Sequence, residues 1–166
     1  MLDTVTRYLA GLSVIGDATA LRNIISPLSD RYSTHPLTSA GLVIKAGSSA
    51  LAKIGAADFY ALVGGRLVLI AASTDMPALT GLTIAANTFN VACFFVDGAA
   101  AVTMAAGAQG ATVGAVVFPQ FPVKKALIGF LIITHSATFT GGTTALDTAT
   151  TVYVSPLGPS DPTVLV

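Results

Sequence analysis

Few residues of this chain have side chains that could carry out acid–base or nucleophilic chemistry. The 166 residues include two histidines, one cysteine and eight acidic residues, all of them aspartate. His35 and His135 are far apart in the sequence, and Cys93 has no Cys or His partner at the spacing of a zinc site. Catalytic sites need polar groups that converge on one place. The sequence therefore predicts no metal and no cofactor, and Cys93 is expected to pack as a small apolar side chain.

The serines and aspartates also lack the patterns of hydrolytic sites. No serine lies in a Gly-x-Ser-x-Gly elbow, and the adjacent Ser48 and Ser49 fall in a stretch typical of a hairpin loop. Paired carboxylates for glycoside cleavage would have to come from distant positions, and Asp75 and Asp97 have the sequence context of turns. We therefore expect that the protein is not an enzyme, and a small hydrolase on a β scaffold is the least favoured hypothesis.

The composition narrows the classes of partner. Charged residues make up 10% of the chain and hydrophobic residues 53%, with a net charge of zero. Soluble domains average about 25% charged residues. A nucleic-acid partner is not expected, because it requires clustered Lys and Arg. A membrane partner is not expected either, because glycines and prolines interrupt the longest uncharged run, at 98–123. The N-terminus has no basic segment before an apolar core, which argues against a signal peptide.

From about residue 41 onward, the pattern predicts strands. Short runs rich in Val, Ile, Thr, Phe and Tyr, including 111–118 and 126–136, alternate with Gly, Ser, Asn, Asp or Pro. Gly64-Gly65 and Asp97-Gly98 lie between two such runs and predict hairpins. The spacing of roughly 8–12 residues is typical of an all-β domain. We predict a mainly β fold, an antiparallel β-sandwich or barrel that is jelly-roll-like, with a short helical N-terminal arm.

Residues 1–40 differ from the rest. Leu2, Val5, Leu9 and Leu12 recur at helical spacing, and a second helix is predicted over 18–26, ended by Pro27. Residues 26–39 are expected to form an irregular connector. The predicted organisation is a docking arm over 1–40, a β domain over 41–157 and an extended tail over 158–166.

One stretch resembles a known family. The sequence VVFPQFPVKKALIGFLIITHSATFTGGTTALDTA, residues 116–149, resembles the C-terminal part of small structural proteins from tailed-bacteriophage virions. The stretch 41–79 resembles the start of the same domain, so the likeness covers roughly 41–157. The resemblance implies a head-decoration or fibre-like role. Lys124 stands where the family pattern has glycine, which is expected to affect a turn conformation.

The favoured hypothesis is a capsid decoration or cement protein located on the virion and made in the host cytoplasm. Its expected partners are itself, as a homotrimer, and the major capsid protein or another virion protein. A chain with so little charge is expected to need neighbours that cover its surface. The alternatives are a tail- or head-fibre component that binds a host surface ligand and, less favoured, the main capsid subunit. Residues predicted to form interfaces are Leu2, Val5, Leu9, Leu12, Ile24, Ile25, Phe118, Phe121 and Lys124.

Overall fold

The computed structural model of the chain describes residues 25–26, 28–30 and 32–159, which are mainly antiparallel β-structure. This confirms the predicted fold class. The strands in chain order are β1 (His35–Pro36), β2 (Val43–Ile44), β3 (Ala52–Lys53), β4 (Phe59–Val63), β5 (Arg66–Ile70), β6 (Thr83–Ile84), β7 (Phe89–Asp97), β8 (Val102–Ala106), β9 (Lys125–Thr134), β10 (Phe139–Thr140) and β11 (Thr150–Val154).

The described strands form two larger sheets and two small pairs. The central sheet has the order β11–β9–β7–β8, and the side sheet has the order β1–β4–β5. The pairs β2–β3 and β6–β10 complete the layer that packs with the side sheet against one face of the central sheet. Every pairing is antiparallel. We call this face of the central sheet its inner face.

Both faces of the central sheet are covered. In β7, seven consecutive residues from Asn90 to Val96 are buried. Phe94 points to the inner core, together with Phe59 and Leu131, whereas Phe95 belongs to a second core on the outer face. A strand buried on both sides needs apolar residues at every position, not at alternate ones. The unbroken apolar pattern of β7 therefore reflects burial on both of its faces.

A bulge in β9 sets which residues reach each core. Phe94 lies opposite Gly129 and Phe95 lies opposite Leu127, so Ile128 is an extra residue in β9. The extra residue reverses the alternation, and as a result Leu127 and Phe130 share the outer face. A Cβ on Gly129 would lie 2.5 Å from the carbonyl oxygen of Val154, which explains why only glycine fits there.

The outer core is closed by a covering segment, residues 107–123. The strand predicted over 111–118 is wrong, because the structure has a 3-10 helix at Val113–Ala115 and an isolated bridge between Ala108 and Val117. Close backbone approach explains the difference. A Cβ on Gly107 would lie 2.3 Å from the Val117 carbonyl oxygen, and one on Gly110 would lie 2.5 Å from the Ala115 carbonyl carbon. The segment folds back on itself and cannot run as a straight strand.

The predicted hairpins are confirmed. Gly64 and Gly65 join β4 to β5 with φ values of 59° and 79°, the positive values required at both central residues of a type I′ turn. The loop after Asp97 joins β7 to β8, and Ala100 takes the positive φ there. Residues 45–51 form the β2–β3 loop that the paired serines predicted.

The predicted connector over 26–39 is wrong in part. Residues 28–30 and 32–33 are helical, beyond the Pro27 at which the helix was expected to end. Contacts of the Asp30 side chain stabilise these helical residues. Its carboxylate accepts hydrogen bonds from the Thr34 hydroxyl and from the backbone N–H of Lys124, at 3.3 and 3.0 Å. The second contact ties the helical residues to the start of β9.

Candidate functional site

Cys93 lies in the outer core of the central sheet, opposite Phe130 in β9. Its side chain is fully buried, and burial raises the pKa of the thiol well above its usual range. A thiolate is the reactive form of cysteine, so this environment disfavours nucleophilic chemistry. Cys93 thus packs as the apolar side chain that the sequence predicted.

The two histidines lie apart. His35 is in β1 of the side sheet, opposite Leu62, and its Nδ1 is buried without a hydrogen-bond partner among the described residues. His135 directly follows β9, and its Nδ1 accepts a hydrogen bond from the backbone N–H of Ala137 at 3.1 Å. His135 is therefore the polar residue at a strand end that the sequence predicted. Neither ring has an aspartate as its hydrogen-bond partner in the described part of the chain.

The described aspartates hold loops in place. The carboxylate of Asp58 accepts from the backbone N–H of Ala72 at 2.8 Å, and that of Asp147 accepts from Ser48 at 2.7 Å. Asp97 accepts from two backbone N–H groups within its own turn. Within residues 25–159, apart from the two undescribed positions, no group of three or more His, Cys or acidic side chains could hold a metal ion.

Phe118 and Phe121, predicted to form an inter-subunit contact, pack onto the chain's own central sheet. The ring of Phe118 meets that of Phe130 edge to face at a centroid distance of 5.0 Å. The ring of Phe121 meets that of Phe95 in the same way at 5.1 Å. Both rings are half-buried. They close the outer core, and their exposed edges are what remains for a contact with another subunit.

Lys124 has the unusual turn conformation that the family resemblance implied. Its φ is 59°, in the left-handed region that glycine adopts most easily. The Asp30 carboxylate bonds its backbone N–H, which helps to hold that conformation. The lysine side chain is exposed beside a recess of about 520 Å³ formed with the helical residues.

Most residues predicted for the docking arm cannot be placed. Leu2, Val5, Leu9, Leu12 and Ile24 lie outside the described residues. Ile25 is described, is half-exposed and lines the recess beside Lys124. The predicted role of these residues in docking stays a prediction.

The side sheet presents an apolar outer face, which the sequence did not indicate as a site. Leu67 is 63% exposed and Leu69 is 49% exposed, both in β5. Their cross-strand partners in β4 are Leu62 and Tyr60, and Leu37 continues the face beyond β1. The signal in the sequence was the unbroken apolar run 67–70 in β5, since a strand with one solvent-exposed face normally alternates apolar with polar residues.

The outer edge of β5 is open. In a hairpin with a two-residue turn, the closing residues Val63 and Arg66 exchange hydrogen bonds, and so do alternate pairs beyond them. The backbone N–H and C=O groups of Leu67 and Leu69 therefore point away from β4. β5 is the last strand of its sheet, and no described residue bonds to these groups.

A polar recess of about 290 Å³ lies near the start of β11. Its lining carries hydroxyl, amide and imidazole groups: Asn87, Thr134, His135, Ser136, Thr148 and Thr150. It has no charged side chain in that lining to act as an acid or base beside His135. Its chemistry suits hydrogen bonding to a neutral, hydroxyl-rich ligand better than it suits catalysis.

Comparison of the chain with protein-family models, with curated proteins and with solved structures gives no match. In the residues that the structure describes, no helix is long and apolar enough to cross a membrane. The described part of the chain is a mainly β protein with two cores, in which the outer face of the side sheet is apolar and exposed.

Proposed function

We propose that this chain is a structural protein of a phage virion, which binds the head shell as an oligomer and stabilises it. The observation that carries the proposal is the exposed apolar outer face of the side sheet, centred on Leu67 and Leu69. This face is exposed, whereas both faces of the central sheet are covered by other residues of the chain. An apolar face that a folded chain leaves open marks a site of protein–protein contact.

The small number of charges supports the same conclusion. Charged residues make up only 10% of the chain, and Lys45–Asp75 is an ion pair between two exposed side chains. Surfaces that become buried in permanent assemblies are apolar and resemble a core cut in half. A protein that binds only the assembled shell stabilises that shell by mass action. The carboxylates of Asp58, Asp97 and Asp147 bond backbone N–H groups of loops and turns, which is a structural role.

The resemblance of residues 116–149 to small virion proteins also supports the proposal. In the structure this stretch supplies β9, β10 and part of the covering segment, so it forms the central scaffold. A buried scaffold of this kind suits a protein with a mechanical role.

A second candidate is a tail- or head-fibre component that binds a host surface ligand. The polar recess beside His135 and Thr150 favours it, because a neutral recess rich in hydroxyl groups can hydrogen-bond a sugar. No Phe, Tyr or Trp ring lines this recess for a sugar to stack on. The decoration role is therefore the better supported of the two.

Electron cryomicroscopy of the native particle, compared with a particle made without this gene, tests the proposal. Decoration predicts extra density repeated over the whole icosahedral shell and a lower temperature of genome release when the protein is missing. Adding the purified chain back should restore both. Density confined to vertices or the tail would favour the fibre role, and no difference between the particles would contradict both.

A further inference from the structure

β5 combines an exposed apolar face, an open edge and charges of opposite sign at its two ends. Arg66 starts the strand and is exposed, with no ion-pair partner among the described residues. Asp58 lies at the other end, where its carboxylate bonds the backbone of Ala72, just past Ile70. An edge of this kind is a ready template for pairing with another strand.

We propose that β5 pairs antiparallel with β5 of a second copy of this chain, about a two-fold axis at Val68. The proposal rests on the self-association in the proposed function and names the surface that makes it. The occupant is a second copy because the edge is self-complementary. A two-fold axis places the same patch on both partners, so each feature must meet its counterpart on the same strand.

The register follows from the backbone. The outward-pointing N–H and C=O groups belong to Leu67 and Leu69, on either side of Val68. With the axis at Val68, Leu67 of one copy faces Leu69 of the other, and the two residues exchange hydrogen bonds in both directions. The pairing would satisfy the open groups of the edge and would join two three-stranded side sheets into one continuous sheet.

The side chains agree with this register. Leu67 and Leu69 both lie on the outer face, so the pairing brings leucine against leucine across the junction, as cross-strand pairs stabilise sheets. The antiparallel direction also carries each Arg66 to the Ile70 end of the partner strand, near Asp58. A parallel arrangement would place like charges together at each end.

The geometry gives a dimer, which differs from the homotrimer expected from the sequence. Sedimentation velocity of the purified full chain over a range of concentrations distinguishes the two states. The wild-type chain should sediment as a species of twice the 16.7 kDa chain mass, and the variant carrying Leu67→Lys and Leu69→Lys should sediment as a monomer. In that variant, each new lysine would face a lysine of the partner across the junction.

Leu157→Lys is the matched control, because Leu157 is 61% exposed, close to the 63% of Leu67, but lies outside β5. It should leave the dimer unchanged. Circular dichroism and thermal unfolding of each variant establish that it is folded.

Cysteine cross-linking tests the register itself. Facing residues of a hydrogen-bonded antiparallel pair have Cα atoms about 5.5 Å apart, within reach of a disulfide. The variant carrying Leu67→Cys and Leu69→Cys should therefore form a covalent dimer on oxidation. Each single variant should not, since Leu67 faces Leu69 and lies diagonally, about 7–8 Å away, from its own counterpart. The buried Cys93 serves as an internal unreactive thiol.

The results separate this inference from the proposed function. A wild-type chain that stays monomeric, a trimer, or an oligomer that survives both lysine substitutions would overturn the β5 pairing. Binding of that same chain to particles that lack the protein would still support the decoration role. A β5 dimer that fails to bind such particles would support the pairing and contradict the decoration role.

Discussion

The central sheet and the side sheet are built from similarly apolar strands, but the described residues cover both faces of one and only one face of the other. β7 and β9 are buried between the inner core and the covering segment. β5 has the same density of apolar residues, yet Leu67 and Leu69 face outward. A high apolar content therefore does not by itself identify an interface. What matters is which apolar face the chain leaves uncovered.

The largest difference in the effect of a mutation on stability is expected between a side chain buried in the two cores and one on the exposed face of the side sheet. Phe130→Ala removes a fully buried ring that contacts Phe118, and it should lower the free energy of unfolding by about 3–5 kcal/mol. Leu67→Ala, measured in dilute solution, should change it by less than about 0.5 kcal/mol. Urea denaturation measures both, and similar losses for the two variants would contradict the distinction between the two sheets.

The bulge in β9 provides a second test. Gly129→Ala would place a Cβ against the Val154 carbonyl oxygen and the Leu42 side chain, at 2.5 and 2.7 Å. Relief requires movement of β11 against β9, and we expect a loss of about 1–3 kcal/mol in urea denaturation. Gly114→Ala is the control, because its Cβ would meet no atom within 4 Å. Equal stability of the two variants would contradict the close approach of β11 to β9 at Gly129.

The burial of Cys93 in the outer core can be tested through the pH dependence of the free energy of unfolding. Burial raises the pKa of Cys93, so the folded chain keeps its thiol proton at pH values at which the unfolded chain loses it. The unfolded state then binds fewer protons, and stability falls as the pH rises above about 8.5. The fall should approach about 1.4 kcal/mol per pH unit.

The matched variant for that experiment is Cys93→Ala, in which this part of the pH dependence should disappear. The measured quantity is the difference in stability between wild type and variant at each pH, because every other side chain is the same in both. Parallel stability profiles from pH 7 to 10 would contradict a buried, neutral thiol in the outer core.

The smallest effect concerns the turn before β9. Lys124→Gly should raise the free energy of unfolding by about 0.5–1 kcal/mol. A non-glycine residue at positive φ costs about 1–3 kcal/mol, and glycine removes this strain. Part of the gain is offset because glycine loses more conformational entropy on folding. Lys125→Gly, one residue on and inside the strand, should lower it by about 0.5–1 kcal/mol. The same sign for both would contradict the left-handed conformation at Lys124.

Local patterns in the sequence predicted much of the fold. The Gly64-Gly65 pair identified the β4–β5 hairpin because a type I′ turn needs two positive φ values. The strand at 126–136 was also visible in the residues. Both features depend on neighbours in the chain, whereas the unusual conformation of Lys124 was implied by the family resemblance.

Features that depend on distant contacts were not visible. The bulge at Ile128 and Gly129 follows from the close approach of Val154, and the helical residues around Asp30 depend on a contact with Lys124. For the same reason Phe118 and Phe121 were assigned to a partner, although their rings lie on the chain's own sheet. An apolar strand face that is exposed and one that another segment covers have the same sequence pattern, so the sequence alone does not distinguish them.

Amide hydrogen exchange of Leu67 and Leu69 as a function of protein concentration tests most directly whether the open face is where copies meet. The amides of both residues should exchange rapidly in dilute solution and slow down as the concentration rises. Those of Val91 and Ile132, inside the central sheet, should be slow throughout, and that of the exposed Gly47 should stay fast. Rapid exchange of Leu67 and Leu69 at every concentration would contradict the account.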